Sequence, residues 1–305
     1  CTEAHRKADS VLSLDWFDLG GTLSTVWDEG KVVTKVINCS MDFHQHRGWS
    51  KDYGAQSPVD LHVPTVPEVF ISELLPRLRR TEKARSYVIE ARPPSELPKE
   101  GAIGMIEFAR AYRNAARDRK VCLISHTIGW PPEESEFNHS LGCLANAGGG
   151  GLGAGPGNAV GAALALRDLD AEYLPVAILG DGDYLMGVQA LWTAAHESIP
   201  ILILVANNHS YFNDEMHQEA IAKKRDRPIE NRWIGQRINE PEIDIVALAK
   251  AQGLDIAGPV SDMKELPKAL SDAMDRVRDG ASLVMDVHIK PEYATNSVSE
   301  RSMKS

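Results

Sequence analysis

Cysteine is scarce in this 305-residue chain: Cys1, Cys39, Cys122 and Cys143 stand far apart, with no CxxC pair among them. Such spacing builds neither a zinc site nor a disulfide framework, and Cys122, set in Val121-Cys122-Leu123-Ile124, reads as a small core residue. A run of about 18 apolar residues is also missing, and no basic-then-apolar leader opens the sequence, so neither a membrane span nor an export signal is visible. A soluble cytoplasmic protein is the expectation. Long basic runs are absent too: the longest cluster, Lys223-Lys224-Arg225, is interrupted by Asp226 and reads as a solvated helix face. With a net charge of −10 and a pI near 5.5, the chain lacks the basic footprint that nucleic acid or an anionic membrane surface requires.

What is present suits a compact protein. Hydrophobic residues make up 43% and charged residues 25%, a globular balance at a length sufficient for two α/β domains. Strand-like runs at Val11–Leu14 and Val32–Ile37, a polar aromatic loop from Met41 to Tyr53 and a helix-like segment from Pro67 to Arg79 form a first set of elements over residues 1–80. These are few for an independent doubly wound domain, and the chain is already strand-like soon after Cys1. The first half of that domain is therefore expected on another polypeptide. Residues 81–99, charged and bearing Pro93, Pro94 and Pro98, read as a linker.

From residue 100 to 290 strands alternate with helices. Helical periodicity covers Ala102–Arg117, and Lys120–Ile124 reads as a strand. A glycine-rich loop, Ala147–Gly157, leads into a small-residue helix, Asn158–Leu166. Strand Val176–Leu179, helix Tyr184–His196, strand Ile201–Ala206, helices Asp244–Gln252 and Met263–Arg278, and strand Ser282–Ile289 complete the series. Strands apolar on both faces imply a parallel sheet covered by helices on each side. Residues 291–305 read as a flexible tail or an arm.

The chemistry concentrates at two strand ends. Gly180-Asp181-Gly182 directly follows the strand ending at Leu179, and Asn207-Asn208 directly follows the strand ending at Ala206. Both therefore sit at the carboxyl edge of adjacent parallel strands, where open α/β sheets bind ligands. Asp181 offers a carboxylate and Asn208 an amide oxygen, the hard donors that Mg²⁺ takes while it shares its shell with phosphate oxygens. The flanking glycines admit a close backbone approach, and the helix expected from Tyr184 aims its free N–H groups at the same place. With five residue types at one fixed spacing, an accidental match is on the order of one in ten thousand.

Gly180-Asp181-Gly182, 24 intervening residues and Asn207-Asn208 resemble the thiamine diphosphate (ThDP) signature of the superfamily of benzoylformate decarboxylase, pyruvate decarboxylase and acetolactate synthase. Ala190-Leu191-Trp192-Thr193-Ala194-Ala195 is similar to the helix after the metal aspartate, and Gly150-Gly151-Leu152-Gly153 to the loop that supports the thiazolium ring. The resemblance implies an α/β fold in which residues 100–290 form a parallel-sheet ThDP pyrophosphate-binding domain, preceded by half of a doubly wound central domain. It implies that Asp181, Asn208 and the Ser210 carbonyl bind Mg²⁺. Thr127, Gly151, Gly180, Gly182, Asp183 and Tyr211 would contact the cofactor, with Leu152 as the wedge that bends it and His126 as a group facing substrate. Asp183 stands where many relatives carry serine. Its side chain is expected to cap its own helix while its N–H meets the diphosphate.

The activity implied is that of a lyase, decarboxylase or carboligase on a 2-oxo acid or related carbonyl compound, in a dimeric or larger assembly. Another chain would supply the pyrimidine-binding domain and its glutamate. The polar stretch Glu215–Arg237, with His217, Arg227, Arg232 and Arg237, suits a carboxylate-bearing substrate or a charged lid. Two rival readings stay open. Cys1, carrying a thiol and its own α-amine, has the makings of an N-terminal nucleophile in a self-processed amide hydrolase. The chain could equally be a non-catalytic partner subunit that keeps the fold.

Overall fold

A computed structural model describes residues 2–16, 19–27, 34–41, 59–79, 92–131, 134–135, 139–144 and 151–292. The chain divides into two compact units, Cys1–Val88 and Ile89–Ser305. Among the described residues no helix is long and apolar enough to cross a membrane.

In the first unit α1 (Thr2–Lys7) precedes β1 (Ser10–Leu14), α2 (Leu19–Val26), β2 (Lys35–Cys39), β3 (Leu61–Val63) and α3 (Pro67–Leu74). The three strands are parallel, in the order β1-β2-β3. Its small core gathers Leu19, Leu23 and Val36. The helix expected to reach Arg79 stops at Leu74 and tightens into a 3₁₀ turn over Leu75–Arg77, because Pro76 has no N–H for the next α-helical bond. The loop expected over Met41–Tyr53, apart from Met41 itself, and most of the expected linker lie outside the described residues.

The second unit runs α4 (Met105–Ala116), β4 (Val121–Ser125), α5 (Ala154–Asp168), β5 (Leu174–Gly180), α6 (Asp181–Gly187), α7 (Leu191–His196), β6 (Ile201–Asn207), α8 (Phe212–Lys224), α9 (Ile245–Ala251), β7 (Asp255–Val260), α10 (Leu266–Arg278) and β8 (Ser282–His288). Its five strands are all parallel, in the order β4-β5-β6-β8-β7. Every residue of β6 is buried, as expected for a central strand with helices on both faces. One face packs against α4 and α10, joining Phe108 and Leu270 to Val176, Ile178 and Leu202. The buried positions of α10, Leu266, Leu270, Ala273, Met274 and Val277, recur at helical spacing and form one apolar stripe. The other face packs against α5, α7 and α9 through Ala159, Ala163, Leu191 and Ile245, where alanines let α5 lie close to the sheet.

Three of the departures from the sequence reading in this unit have local reasons. Helix α5 begins at Ala154, four residues before the expected Asn158, because Gly153 adopts φ +90° at its N-cap, a conformation open to glycine. The single helix expected over Tyr184–His196 starts at Asp181 and is broken into α6, a 3₁₀ turn and α7. Gly187, pressed against the Gly153 carbonyl, marks the break. Strand β7 carries Gly258-Pro259, which disguises it in sequence; it is tolerated because β7 is the edge strand.

Candidate functional site

Pairing of β5 with β6 sets Gly180 opposite Ala206, so Asp181 and Asn208 leave the sheet side by side at its carboxyl edge. A cavity of about 310 Å³ opens there, with Thr127, Leu152, Gly180, Asp181, Asn208 and Tyr211 in its wall. Asp181 is the first residue of α6, so its helical start and its place at the strand end have one cause.

The Asp181 carboxylate is buried, with 3% exposure. It accepts the N–H groups of Gly182 at 2.9 Å and Ser210 at 3.1 Å. Burial raises its pKa from 3.8 to about 6, against the lowering pull of those N–H groups. The Ser210 N–H also donates to Asn208 Oδ1 at 3.0 Å. One donor shared by two acceptors holds the Asp181 and Asn208 oxygens together. His209, between Asn208 and Ser210 in the chain, takes φ +56°, and its N–H donates to Asn207 Oδ1 at 3.1 Å, closing a tight Asx-type turn. Asn207 in turn donates from Nδ2 to Asp286 at 3.4 Å, and Asp286 accepts from His288 Nε2 at 3.1 Å. The buried Asp286 carboxyl is pushed up by desolvation and anchors the turn from β8.

The glycines form a cradle that side chains would fill. A Cβ on Gly182 would overlap the Tyr211 ring, and one on Gly180 would lie 3.2 Å from Thr127 Oγ1. Tyr211 is held above Gly182 with its hydroxyl pKa raised, first by burial and then by the nearby Asp181 charge. A carboxylate and an amide oxygen beside the N–H groups of a helix start are the donors that suit a hard divalent cation and a diphosphate together. Among the described residues no cluster of three His, Cys, Asp or Glu side chains could hold a metal. A cation here would therefore complete its shell from carbonyl and phosphate oxygens.

Asp183 departs from its expected task. Its carboxylate accepts the N–H groups of Gly153 at 2.7 Å and Gly155 at 3.3 Å, so it caps the neighbouring α5 and not its own helix. Gly155 is packed so closely that a Cβ there would overlap the Asp183 carboxylate and Leu179. This bond ties the Gly151-Leu152-Gly153 turn to the Asp181 loop. Leu152 stands at the cavity with 44% of its surface exposed, and among the described residues it joins neither buried core cluster of this unit. His126 and Thr127 follow β4 and line the cavity, with His126 Nδ1 3.3 Å from the Thr127 carbonyl. Cys1 and Gly150 lie outside the described residues.

His217, Arg227, Arg232 and Arg237 do not line the cavity. His217 and Arg227 are exposed, while Arg232 pairs with Glu219 at 2.8 Å and Arg237 with Glu215 at 2.8 Å. The sequence reading missed Met105, Asn158 and Ile289 in the cavity wall. Asn158 becomes legible once α5 starts at Ala154, since it then falls in the first turns facing the site. Met105 and Ile289 carry no local signal, because the start of α4 and the end of β8 bring them there.

A parallel α/β sheet presenting a glycine cradle and hard oxygen donors at the ends of two adjacent strands defines a diphosphate-binding class of protein. Residues 130–287 match the model of the thiamine pyrophosphate enzymes' C-terminal TPP binding domain, thiamine pyrophosphate being another name for ThDP, and the chain belongs to that family. It is 27% identical over 197 residues to the acetolactate synthase large subunit of Parasynechococcus marenigrum (strain WH8102), covering 63% of this chain and 29% of that protein. It is 30% identical over 140 residues to the acetolactate synthase isozyme 3 large subunit of Escherichia coli (strain K12), covering 46% and 23%. The fold is similar to that of benzoylformate decarboxylase from Polynucleobacter necessarius, with a TM-score of 0.61 and 20% identity over 87% of this chain and 46% of that one. The chain thus spans less than half the length of each of these relatives.

Proposed function

We propose that the protein carrying this chain is a ThDP- and Mg²⁺-dependent lyase, decarboxylase or carboligase acting on a 2-oxo acid or related carbonyl compound. The observation that carries this reading is the shared Ser210 N–H between Asp181 and Asn208 beside the Gly180 and Gly182 cradle, within the span matched to the family. Asp181, Asn208 and the Ser210 carbonyl would hold the metal. Thr127, Tyr211 and the backbone of Gly180, Gly182 and Asp183 would hold the diphosphate, with Gly151 and Leu152 against the thiazolium ring and His126 toward substrate.

When bound, ThDP supplies a nucleophilic carbon and an electron sink for the bond being broken or made. The residues of this chain orient it. The start of α6 brings partial positive charge to the phosphates, Leu152 offers an apolar surface, and the Asp183 bond keeps that surface in register with the metal loop. The pyrimidine-binding part of the site, with its glutamate, would come from outside these 305 residues, in a dimer or tetramer of the full unit.

Native mass spectrometry of the purified assembly, followed by turnover assays after dialysis against chelator, tests the proposal. Bound ThDP, a partner bearing a pyrimidine domain, and activity restored by Mg²⁺ and ThDP together are expected. Turnover that survives cofactor removal but is abolished by Cys1→Ala would establish the hydrolase instead. An assembly whose activity ignores Asp181→Ala would make this chain a non-catalytic subunit.

A further inference from the structure

Helix α8 buries one residue, and that residue is a glutamate: Glu215 has no solvent exposure. A helix laid down for stability alone would bury apolar side chains, since an enclosed carboxylate gives up its hydration and must be compensated by close partners. Glu215 has them. It accepts the Ser210 hydroxyl, takes Arg237 in a two-pronged grip through Nε at 2.8 Å and Nη2 at 3.1 Å, and has Arg232 Nε at 3.8 Å. Ser210 is itself 4% exposed, and its N–H is the donor shared by Asp181 and Asn208.

The backbone repeats the connection. The Tyr211 N–H donates to the Gln236 carbonyl at 2.9 Å, and the Ile238 N–H donates to the His209 carbonyl at 2.8 Å. Ser210 and Arg237 form an antiparallel bridge between them. Residues 236–238 thus lie as a strap along the 209–211 turn, and Glu215 rivets strap and turn together. The arginines that resembled receptors for a substrate carboxylate hold this strap.

We infer that Glu215 and Arg237 are positioning residues for the metal-binding turn, setting the orientation of Ser210 and thereby the spacing of the Asp181 and Asn208 oxygens. The inference rests on the ThDP–Mg²⁺ reading above and adds to it a device that contributes no ligand of its own. Partners of this kind behind a metal ligand change affinity by about 10- to 100-fold when removed.

The test uses the intact protein in its native assembly. Calorimetric titration with Mg²⁺ at saturating ThDP is run on wild type, Glu215→Gln, Arg237→Ala and Arg237→Lys. In parallel, hydrogen exchange of the Tyr211 and Ile238 amides is followed in cofactor-free protein, with the Met285 amide of β8 as an internal control. Expected are Mg²⁺ affinity weakened at least about tenfold in Glu215→Gln and Arg237→Ala, partial recovery in Arg237→Lys, and faster exchange at Tyr211 and Ile238 with Met285 unchanged. Arg237 is partly exposed, so its variants report even if Glu215→Gln does not fold. Loosened strap amides with unaltered Mg²⁺ affinity, or no loosening at all, would overturn the inference while leaving the cofactor reading standing. A wild-type protein that takes up no Mg²⁺ and ThDP overturns both.

Discussion

Replacing Asp181 with asparagine should make the metal-free protein more stable at neutral pH while removing the carboxylate proposed to hold the metal. The folded-state pKa of Asp181, about 6, lies above the ordinary 3.8, so folding favours the protonated form. The stabilisation from that form is fully present below pH 3.8 and is lost as pH rises through about 6. At pH 8 the buried charge costs about 3 kcal/mol. An amide removes that cost, but its Nδ2 cannot accept the Ser210 N–H that the carboxylate accepts, a loss of about 1 kcal/mol. Asp181→Asn should therefore gain about 2 kcal/mol at pH 8 and be about 1 kcal/mol less stable near pH 4, where wild type is already protonated. Urea unfolding of chelator-treated protein, followed by circular dichroism at the two pH values, measures both differences. Adding Mg²⁺ and ThDP at about 100 times Kd should stabilise wild type by about 2.7 kcal/mol and leave the variant unchanged. A variant equally destabilised at both pH values would refute the reasoning, because it would mean the carboxylate is held by its hydrogen bonds and not strained by burial.

Three further substitutions probe the cradle. Gly182→Ala puts a methyl into the Tyr211 ring. It should cost about 1–3 kcal/mol by overpacking and abolish ThDP binding by calorimetry; normal binding would show that Tyr211 yields freely. Asp183→Ala leaves the Gly153 and Gly155 N–H groups without their acceptor. A loss of about 1–2 kcal/mol in unfolding free energy, as for a lost cap, is expected, together with faster amide exchange at the start of α5. Leu152→Ala, at a residue 44% exposed, should change stability by less than about 1 kcal/mol while lowering kcat more than it raises KM. An unaltered kcat would remove Leu152 from the cofactor's surroundings.

Four of the five strands of the second unit were legible because their signal is local. Ile201–Ala206 is apolar without interruption, which only a strand covered on both faces permits, and Asn207-Asn208 marks where it must leave the sheet. Helix α8 was not legible: in Phe212–Lys224 the few apolar residues bury no face, and the one buried residue is a charge, so no apolar stripe announces it. Asp286 could have been noticed as an acid inside the apolar run Leu283–Val287, a placement that asks for a partner. Strand β7 hid behind Gly258-Pro259, and the start of α5 behind a cap supplied from residue 183.

The sequence by itself determined that two buried strands end in Asp181 and Asn208, that glycines flank the first, and that both ends face the same edge of a parallel sheet. Those conclusions need only the period of the side chains and the chemistry of the residue that follows. The tertiary structure alone decided that Ser210 N–H joins the two oxygens, that Asp183 serves α5, and that Arg232 and Arg237 are taken up by Glu219 and Glu215. Each of these is a choice among many chemically equivalent donors and acceptors, made by chain segments brought together from about 13 to 30 residues away, where periodicity carries no information and packing selects the partner.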